Sequence, residues 1–359
     1  MARYMSSCSC SSSSSKRQKL NNHDRYAIIR SSNPRRKQHL YLALDDWNGG
    51  YSIHKIDADE IMDDDDDEAA TAAASATDRE QLHKLPEPAA VRLASPVVGC
   101  RMAFAAMGTN IFVATNPRCR YDDAAPKLLV YDAATGALSG GPHLPDQERL
   151  YDFGAAMAVG ERLYTLTSVC LELNECPSFR ALSWEPTTRP GRGLGVWDPR
   201  MEWSWSCVPP PRFHGFDIAA YALHPDGRTI FISTAHHSTH SFDTSSGVWT
   251  ELGDWVLPFR GQAYFDAELD AWVGLHHKEV ASRSRSATEP PECSKLNEKL
   301  FGKEDYPKEQ RLNTTLTYMG DSRFCLIENV MPRDNDLNAV LHVTLFGLKF
   351  DQKGDRAAN

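Results

Sequence analysis

A short pattern occurs twice in the chain, as Tyr131-Asp132-Ala133-Ala134-Thr135-Gly136-Ala137-Leu138 and as Phe242-Asp243-Thr244-Ser245-Ser246-Gly247-Val248-Trp249. In both copies an aromatic residue and Asp precede three small or polar residues, Gly and a second apolar segment. A copy that is shorter by one residue covers Trp197–Trp203. Repetition of one strand–turn–strand unit along a chain of this length is typical of radially repeated all-β folds.

Pairs of β-forming segments around short Gly- or Asp-containing turns predict a series of hairpins. Segments 39–44 and 51–56 flank a turn with Asn48-Gly49, which supplies the positive φ angles that tight turns need. Five further hairpins are predicted at 101–107 with 110–115, 153–159 with 162–168, 218–224 with 229–234, 262–266 with 271–276, and 315–319 with 323–328.

The spacing of these hairpins, about forty to about seventy residues, is close to that of propeller blades with outer loops of varied length. We therefore predict an all-β fold with a single β-propeller over residues 24–352. Six blades fit the hairpin count best, and five or seven remain alternatives. The last strong strand, Val340–Lys349, has no hairpin partner, so it is predicted to close the ring by pairing with the N-terminal segment.

Several segments are predicted to lie outside this core. Residues 1–22 are Ser-rich and residues 353–359 follow the last strand, so both are expected to be tails. The acidic and Ala-rich range 57–85 is predicted to be a disordered insertion. The range 278–311 is predicted to be a charged insertion with one short helix near 294–311.

The formal net charge of −9 equals the nine acidic residues of the run from Asp57 to Glu68, and the remaining 39 Asp and Glu balance 39 Lys and Arg. The body of the protein is therefore not expected to attract nucleic acid. Nine cysteines occur without a paired spacing, and no apolar segment is long enough for a membrane span. We expect an intracellular protein, cytoplasmic or nuclear, with basic clusters at 16–19 and 35–37 as a weak nuclear-import motif.

The block Tyr221–Gly274 contains three distinctive motifs. They are Ala-Leu-His-Pro-Asp-Gly-Arg, Ser-Phe-Asp-Thr-Ser-Ser-Gly-Val-Trp and Gly-Asp-Trp-Val-Leu-Pro-Phe-Arg-Gly-Gln. It resembles the plant family known as domain of unknown function 1668, which is expanded in cereal grasses. The resemblance extends over roughly residues 24–350. It implies a kelch-like propeller without an established activity, and it transfers no functional residues.

Histidines form the clearest chemical cluster, with His224, His236 and His240 as candidate metal ligands and His276-His277 in the next hairpin. Two or three converging imidazoles can bind zinc or copper. Adjacent residues of a strand point to opposite faces, however, so only one of His236 and His237 could join His240 unless this segment is a loop. We favour surface and turn histidines, and we predict no cofactor and no metal.

The repeated Asp and Gly residues have a simpler explanation than catalysis. Asp at the first position of a turn accepts hydrogen bonds from the backbone two residues later, and a structural device recurs where an active site does not. Asp132, Gly136, Asp243 and Gly247 are therefore predicted to be turn residues, and no catalytic residue is assigned. Most of five tryptophans are expected to pack between blades, with one or two at a binding surface: Trp203, Trp205, Trp249, Trp255 and Trp272.

Two functions from different classes remain. The preferred one is a non-enzymatic interaction module, in which loops of the propeller bind a protein partner of unknown identity. The alternative is a propeller that binds a small ligand or metal in its central funnel, with or without enzymatic activity. That alternative would use His224, His240, Tyr221 and Asp217, whose positions near inner strands make them candidates to line the funnel.

Overall fold

A computed structural model covers the chain of 359 residues. The structure describes residues 38–46, 49–58, 85, 87–94, 102–114, 127–143, 153–167, 178–186, 201–213, 218–276, 280–283, 293–295, 311–330, 340–350 and 356–358. The predicted tail 1–22, nearly all of the insertion 57–85, and the predicted helix beyond Lys295 lie outside these residues.

The described residues form 23 β-strands and no helix. In chain order the strands are β1 (His39–Asp45), β2 (Tyr51–Asp57), β3 (Val91–Leu93), β4 (Ala103–Met107), β5 (Asn110–Ala114), β6 (Lys127–Asp132), β7 (Ala137–His143), β8 (Ala155–Val159), β9 (Arg162–Thr167), β10 (Ser178–Pro186), β11 (Met201–Cys207), β12 (Ile218–Leu223), β13 (Thr229–Thr234), β14 (Thr239–Asp243), β15 (Val248–Gly253), β16 (Arg260–Asp266), β17 (Ala271–Leu275), β18 (Val280–Arg283), β19 (Cys293–Lys295), β20 (Arg311–Gly320), β21 (Arg323–Val330), β22 (Val340–Phe350) and β23 (Arg356–Ala358).

The five hairpins predicted after the acidic insertion are confirmed. They are β4–β5, β8–β9, β12–β13, β16–β17 and β20–β21, all antiparallel. Glycines at two of the turns have the left-handed backbone that such tight turns require, with φ of 58° at both Gly108 and Gly160. The local sequence thus favours the turn at these two hairpins.

Each hairpin is extended outwards by further antiparallel strands. The sheets have the strand orders β1-β2-β3, β4-β5-β6-β7, β8-β9-β10-β11 and β20-β21-β22-β23, together with one eight-stranded sheet from β12 to β19. In the eight-stranded sheet the meander β12–β15 is joined to the meander β16–β19 by parallel pairing of β12 with β16.

The first strands of successive meanders contact one another in the order β4, β8, β12, β16 and β20. Apolar clusters fill the spaces between neighbouring sheets; one, for example, joins Phe112 and Leu128 to Leu163 and Leu182. Another joins Val273 to Phe324 and Phe346. Sheets that follow each other around a common axis and pack face to face are the arrangement of a β-propeller.

The prediction of six separate blades is wrong, because the described strands form five hydrogen-bonded sheets. The reason lies where β12 and β16 meet, at the pairs Ala220–Gly261, Tyr221–Gln262 and Ala222–Ala263, because four of these six residues are Ala or Gly. Residues with little or no side chain let two backbones approach closely, so neighbouring meanders merge into one sheet there.

The predicted closure by terminal strand pairing is also wrong for the described strands. Strand β22 pairs with β21 over residues 340–347 and with β23 at Leu348–Phe350, whereas β1 pairs with β2 and with no other described strand. The first and last sheets instead contact through side chains. Leu40 and Leu42 pack against Cys325 and Ile327, and Gln38 Nε2 donates a 2.7 Å hydrogen bond to the carbonyl oxygen of Met319.

Candidate interaction surface

The two copies of the repeated pattern have the same turn geometry. Asp132 Oδ1 accepts a hydrogen bond from Ala134 N at 3.0 Å, and Asp243 Oδ1 accepts one from Ser245 N at 2.8 Å. In both turns the glycine N–H bonds to the aspartate carbonyl at 2.8 Å. Gly136 has φ of 73° and Gly247 has φ of 70°, so both adopt the left-handed conformation that glycine favours.

The surroundings of these carboxylates stabilise their charged form. The Thr135 hydroxyl, with backbone N–H groups, holds the pKa of Asp132 below its usual range despite some desolvation. The backbone N–H of Ser245 lowers the pKa of Asp243 in the same way. Both carboxylates therefore accept hydrogen bonds from donors of their own turns.

The three candidate metal ligands lie in different local environments. His224 contacts the rings of Phe231 and Trp272, and its Nδ1 lies 3.2 Å from Asp226 Oδ2. His236 lies exposed in the turn between β13 and β14. His240 Nε2 lies 3.0 Å from Ser238 Oγ, and burial lowers its pKa, although Glu251 acts in the opposite direction.

Within the described ranges, no three His, Cys, Asp or Glu residues are grouped so that they could hold a metal ion. The segment between β13 and β14 is a turn with φ of 63° at His237. The structure thus places the histidines near turns and aromatic rings. Of the other residues considered for the funnel, Tyr221 lies on β12 and Asp217 is outside the described residues, as is His277 of the histidine cluster.

All five tryptophans considered in the sequence have packing contacts with other elements. Trp272 is 1% exposed and donates from Nε1 to the carbonyl of Leu223 at 3.0 Å. Trp249 donates to the carbonyl of Pro209 at 2.8 Å. Trp203 and Trp205 lie on one face of β11 and pack against the cluster around Phe112. Trp255 packs beside the cluster that contains Trp272.

An exposed apolar surface lies on the outer part of the β8–β11 sheet. Trp184 on β10 and Met201 on β11 are 49% and 44% exposed. Trp184 lies directly opposite Trp203 in the register, and their ring centroids are 5.2 Å apart. Trp203 in turn contacts Phe112 edge-on at 4.9 Å. We call Trp184, Met201 and Trp203 the outer tryptophan surface.

Acidic side chains occupy the opposite face of the same two strands. Glu185 on β10 and Glu202 on β11 are directly opposite each other. Glu185 Oε1 accepts from Ser183 Oγ at 2.6 Å and lies 3.5 Å from Arg162 Nη2. Among the described residues no cation lies within ion-pair distance of Glu202. Like charges directly opposite in a sheet repel one another, so this face favours an additional cation.

Two small cavities lie beside residues of the described sheets. One lies beside Gln38, Met319 and Arg323, and the other beside Tyr164, Tyr221 and Ile232. Each has a volume of about 10 Å³, which suits one water molecule at most.

Trp184, Met201 and Glu202 were not predicted as surface residues, because no strand was predicted at Ser178–Pro186 and therefore no β10–β11 pair. A signal was present in the alternation of Trp203 and Trp205 with polar residues, which marks β11 as a strand. The register with β10, however, is not evident from the sequence. A connection of 14 residues separates the two strands, and its length does not determine which residues pair.

Comparison with known families agrees with the resemblance seen in the sequence. The model of a family described as "Protein of unknown function (DUF1668)" matches residues 37–358. The chain belongs to the DUF1668 family. The match includes the outer tryptophan surface and both repeated turns of this DUF1668 protein. No curated protein matches it.

Solved structures with a similar arrangement are distant in sequence. A protein of unknown function from Bacteroides thetaiotaomicron has a TM-score of 0.39 and 11% identity, over 72% of this chain and 57% of that one. This DUF1668 chain thus spans little more than half of that protein. The N-terminal domain of Nup159 has a TM-score of 0.34 and 11% identity, with coverages of 72% and 60%.

An exo-1,5-alpha-L-arabinanase from a bovine ruminal metagenomic library has a TM-score of 0.33 and 10% identity, over 72% of this chain and 95% of that one. Scores and identities this low carry no argument about the activity of the DUF1668 chain. In the part of the chain that the structure describes, no helix has the length and apolar character needed to cross a bilayer.

Proposed function

We propose that this protein is a non-enzymatic interaction module that binds a protein partner. The observation that carries the proposal is the outer tryptophan surface, where Trp184 and Met201 are exposed beside the half-buried Trp203. Tryptophan is enriched among the residues that contribute most to protein–protein binding. An exposed apolar group of this size on a rigid sheet is therefore a suitable anchor for a partner.

Contacts within the protein position the rings of this surface. Trp203 is fixed from below by Phe112, and Trp184 is fixed against Trp203 by strand pairing and ring contact. Little side-chain entropy is then lost when a partner covers the two rings. The proposal shifts the expected contact from the loops of the propeller to the outer strands of one sheet.

The alternative function, a small-ligand or metal site in the funnel, has less support. The two small cavities can accommodate a water molecule, whereas ligand pockets typically have volumes of roughly 300–1,000 Å³. The candidate ligand His224 instead engages Asp226 of its own turn. We therefore keep the interaction module as the proposed function.

We propose that the protein acts inside the cell, in the cytoplasm or nucleus. Cys207 and Cys325 are free thiols, and cysteines without disulfide partners suit a reducing compartment. The plant origin and the kelch-like character implied by the resemblance stay expectations, and the proposal does not depend on them.

The test is affinity capture with the tagged full-length protein and three matched variants. Trp184→Ala and Met201→Ala truncate the outer tryptophan surface, while Val248→Ala truncates another exposed apolar residue, on β15. We expect a protein partner to be retained by the wild type and by Val248→Ala, and to be lost from Trp184→Ala. Metals and small molecules are measured in the same eluate.

Two results would overturn the proposal. One is a partner that is captured equally by all variants, because binding would then not use this surface. The other is a stoichiometric metal or small ligand in the absence of any retained protein, which would favour the funnel alternative.

A further inference from the structure

The outermost strands of this propeller differ in how well their free edges are protected. An unpaired strand edge can pair with another chain, and proteins prevent this with short strands, bulges, Pro or charged residues. The described outermost strands β3, β19 and β23 have three residues each. They are too short to offer an extended edge themselves, although β23 pairs with only three of the eleven residues of β22.

Two longer outermost strands carry irregularities. Strand β7 contains Gly140, Gly141 and Pro142, and its register with β6 shifts between Lys127 and Leu129. Strand β15 has a register shift against β14, opposite Thr239 and His240. Such bulges bend the strand and interrupt the row of backbone groups that a partner would bind.

Strand β11 has one of these protections only, the charged side chain of Glu202. Its seven residues, Met201–Cys207, pair with β10 in continuous register and contain no Pro and no Gly. It forms the outer edge of its sheet, and β7 of the neighbouring sheet contacts it without strand pairing. Of the described outermost strands, β11 is thus the long and regular one.

The two faces beside this edge have different chemistry. One face presents Trp184, Met201 and Trp203, which favour apolar contacts. The other presents Glu185 opposite Glu202, with Ser204 and Ser206 further along β11. Side chains of a strand alternate between faces, so an added strand would place every second side chain on each of them.

We propose that β11 binds an extended segment of the partner protein by strand addition, and that this segment alternates apolar residues with polar ones that include Lys or Arg. The apolar side chains pack on the outer tryptophan surface. The cation lies opposite Glu202 and offsets the repulsion between Glu202 and Glu185. This inference rests on the proposed function and specifies the chemistry of its partner.

The first experiment uses synthetic peptides as probes, because charge and backbone can be varied separately in them. The basic probe is acetyl-Val-Lys-Val-Thr-Val-Lys-Val-amide, whose symmetry places a lysine near Glu202 in either strand direction. The acidic probe has Glu in place of Lys. We expect the wild type to bind the basic probe, and Glu202→Lys to prefer the acidic probe, with changes of about fivefold or more.

The matched control is Glu251→Lys, which makes the same charge change at an exposed position of the irregular strand β15. A change of preference with Glu251→Lys equal to that with Glu202→Lys would overturn the inference, because it would show only general electrostatic attraction. Circular dichroism of each variant establishes that the sheets are intact before binding is measured.

The second experiment tests backbone pairing. N-methylation of alternate residues removes N–H donors from one edge of the probe only. We expect one set of methylated positions to abolish binding and the other set to be tolerated, since only one edge of the probe faces β11. Equal tolerance of both sets would overturn strand addition.

The outcomes separate this inference from the proposed function. If partner capture needs Trp184 but probe preference ignores Glu202, the strand-addition inference fails and the interaction module stands. If capture is indifferent to Trp184, the proposed function itself fails. A wild-type dimer that is abolished by Ser204→Lys and blocks probe binding would assign the edge to a second copy of the chain and overturn the inference.

Discussion

The Ser322 hydroxyl donates a hydrogen bond of 2.9 Å to Asp266 Oδ1, although the two residues belong to different sheets. Asp266 is fully buried, and the same oxygen also accepts from the backbone N–H groups of Glu268 and Leu269. Ser322 holds φ of 56° in its turn. The contact therefore joins the β16–β17 turn to the β20–β21 turn between neighbouring sheets.

We predict that Ser322→Ala lowers the free energy of unfolding by about 1–3 kcal/mol, because a buried carboxylate loses a donor that water does not replace. Urea denaturation measures the change. Ser246→Ala is the control, since Ser246 is an exposed turn serine whose backbone N–H alone takes part in the Asp243 turn. Equal stability of wild type and Ser322→Ala would contradict the prediction.

The Asp226 turn predicts a specific pH dependence. Burial by itself would raise the pKa of Asp226, but hydrogen bonds from the Thr229 hydroxyl and from the N–H groups of Arg228 and Thr229 lower it well below the ordinary 3.8. A carboxyl whose pKa is lower in the folded state stabilises the fold above the unfolded pKa. That contribution is lost as the pH falls through the folded value.

We therefore expect the stability difference between the wild type and Asp226→Asn to shrink as the pH is lowered from 5 to 2. Unfolding free energies at intervals across this range measure it. Asp254→Asn, at an exposed position beyond β15, serves as the control. A difference that is independent of pH would show that Asp226 acts through geometry and not through its charge.

Trp272 and Trp184 are predicted to have opposite roles. Trp272→Ala removes a fully buried ring and its hydrogen bond to Leu223, so we expect a loss of about 3–5 kcal/mol. Trp184→Ala should change stability by about 0.5 kcal/mol or less, because half of that side chain is exposed. Thermal and urea unfolding of both variants test this. A strongly destabilised Trp184→Ala would mean that Trp184 serves packing.

Glycine at position 274 is predicted to be essential for packing. A Cβ added there would lie 2.6 Å from Phe259 Cδ1 and 3.0 Å from the Cβ of Ala263. We expect Gly274→Ala to cost about 1–3 kcal/mol through overpacking. Gly140→Ala, where an added Cβ meets nothing within 4 Å, should be nearly neutral. Similar unfolding midpoints for both variants would refute the distinction.

The hairpins were predictable because their information is local. Turns such as Gly108-Thr109 and Asp321-Ser322 lie between β-forming segments, and the repeated Asp132 and Asp243 satisfy backbone donors within four residues. The number of sheets was not predictable in the same way. Pairing of β12 with β16 connects residues about forty positions apart, and no local pattern distinguishes this contact from two adjacent separate sheets.

The candidate surface also depends partly on local sequence and partly on long-range strand pairing. Trp203 was identified from the sequence, but its partner Trp184 was not, because their contact follows from the β10–β11 register. The sequence also does not show that β11 is a more regular edge than β7 and β15. The register shifts of β7 and β15 are defined only by their pairing with neighbouring strands.

The sequence by itself determined that this chain forms antiparallel hairpins of an all-β propeller, and it identified the family. Turn residues and alternating side chains act over a few positions, so they can be read one segment at a time. Only the tertiary structure decided that β12 pairs with β16, that the ring closes through side chains such as Gln38, and that β11 keeps an open edge. Those outcomes depend on which distant backbones approach each other, and that is set by packing of the whole ring.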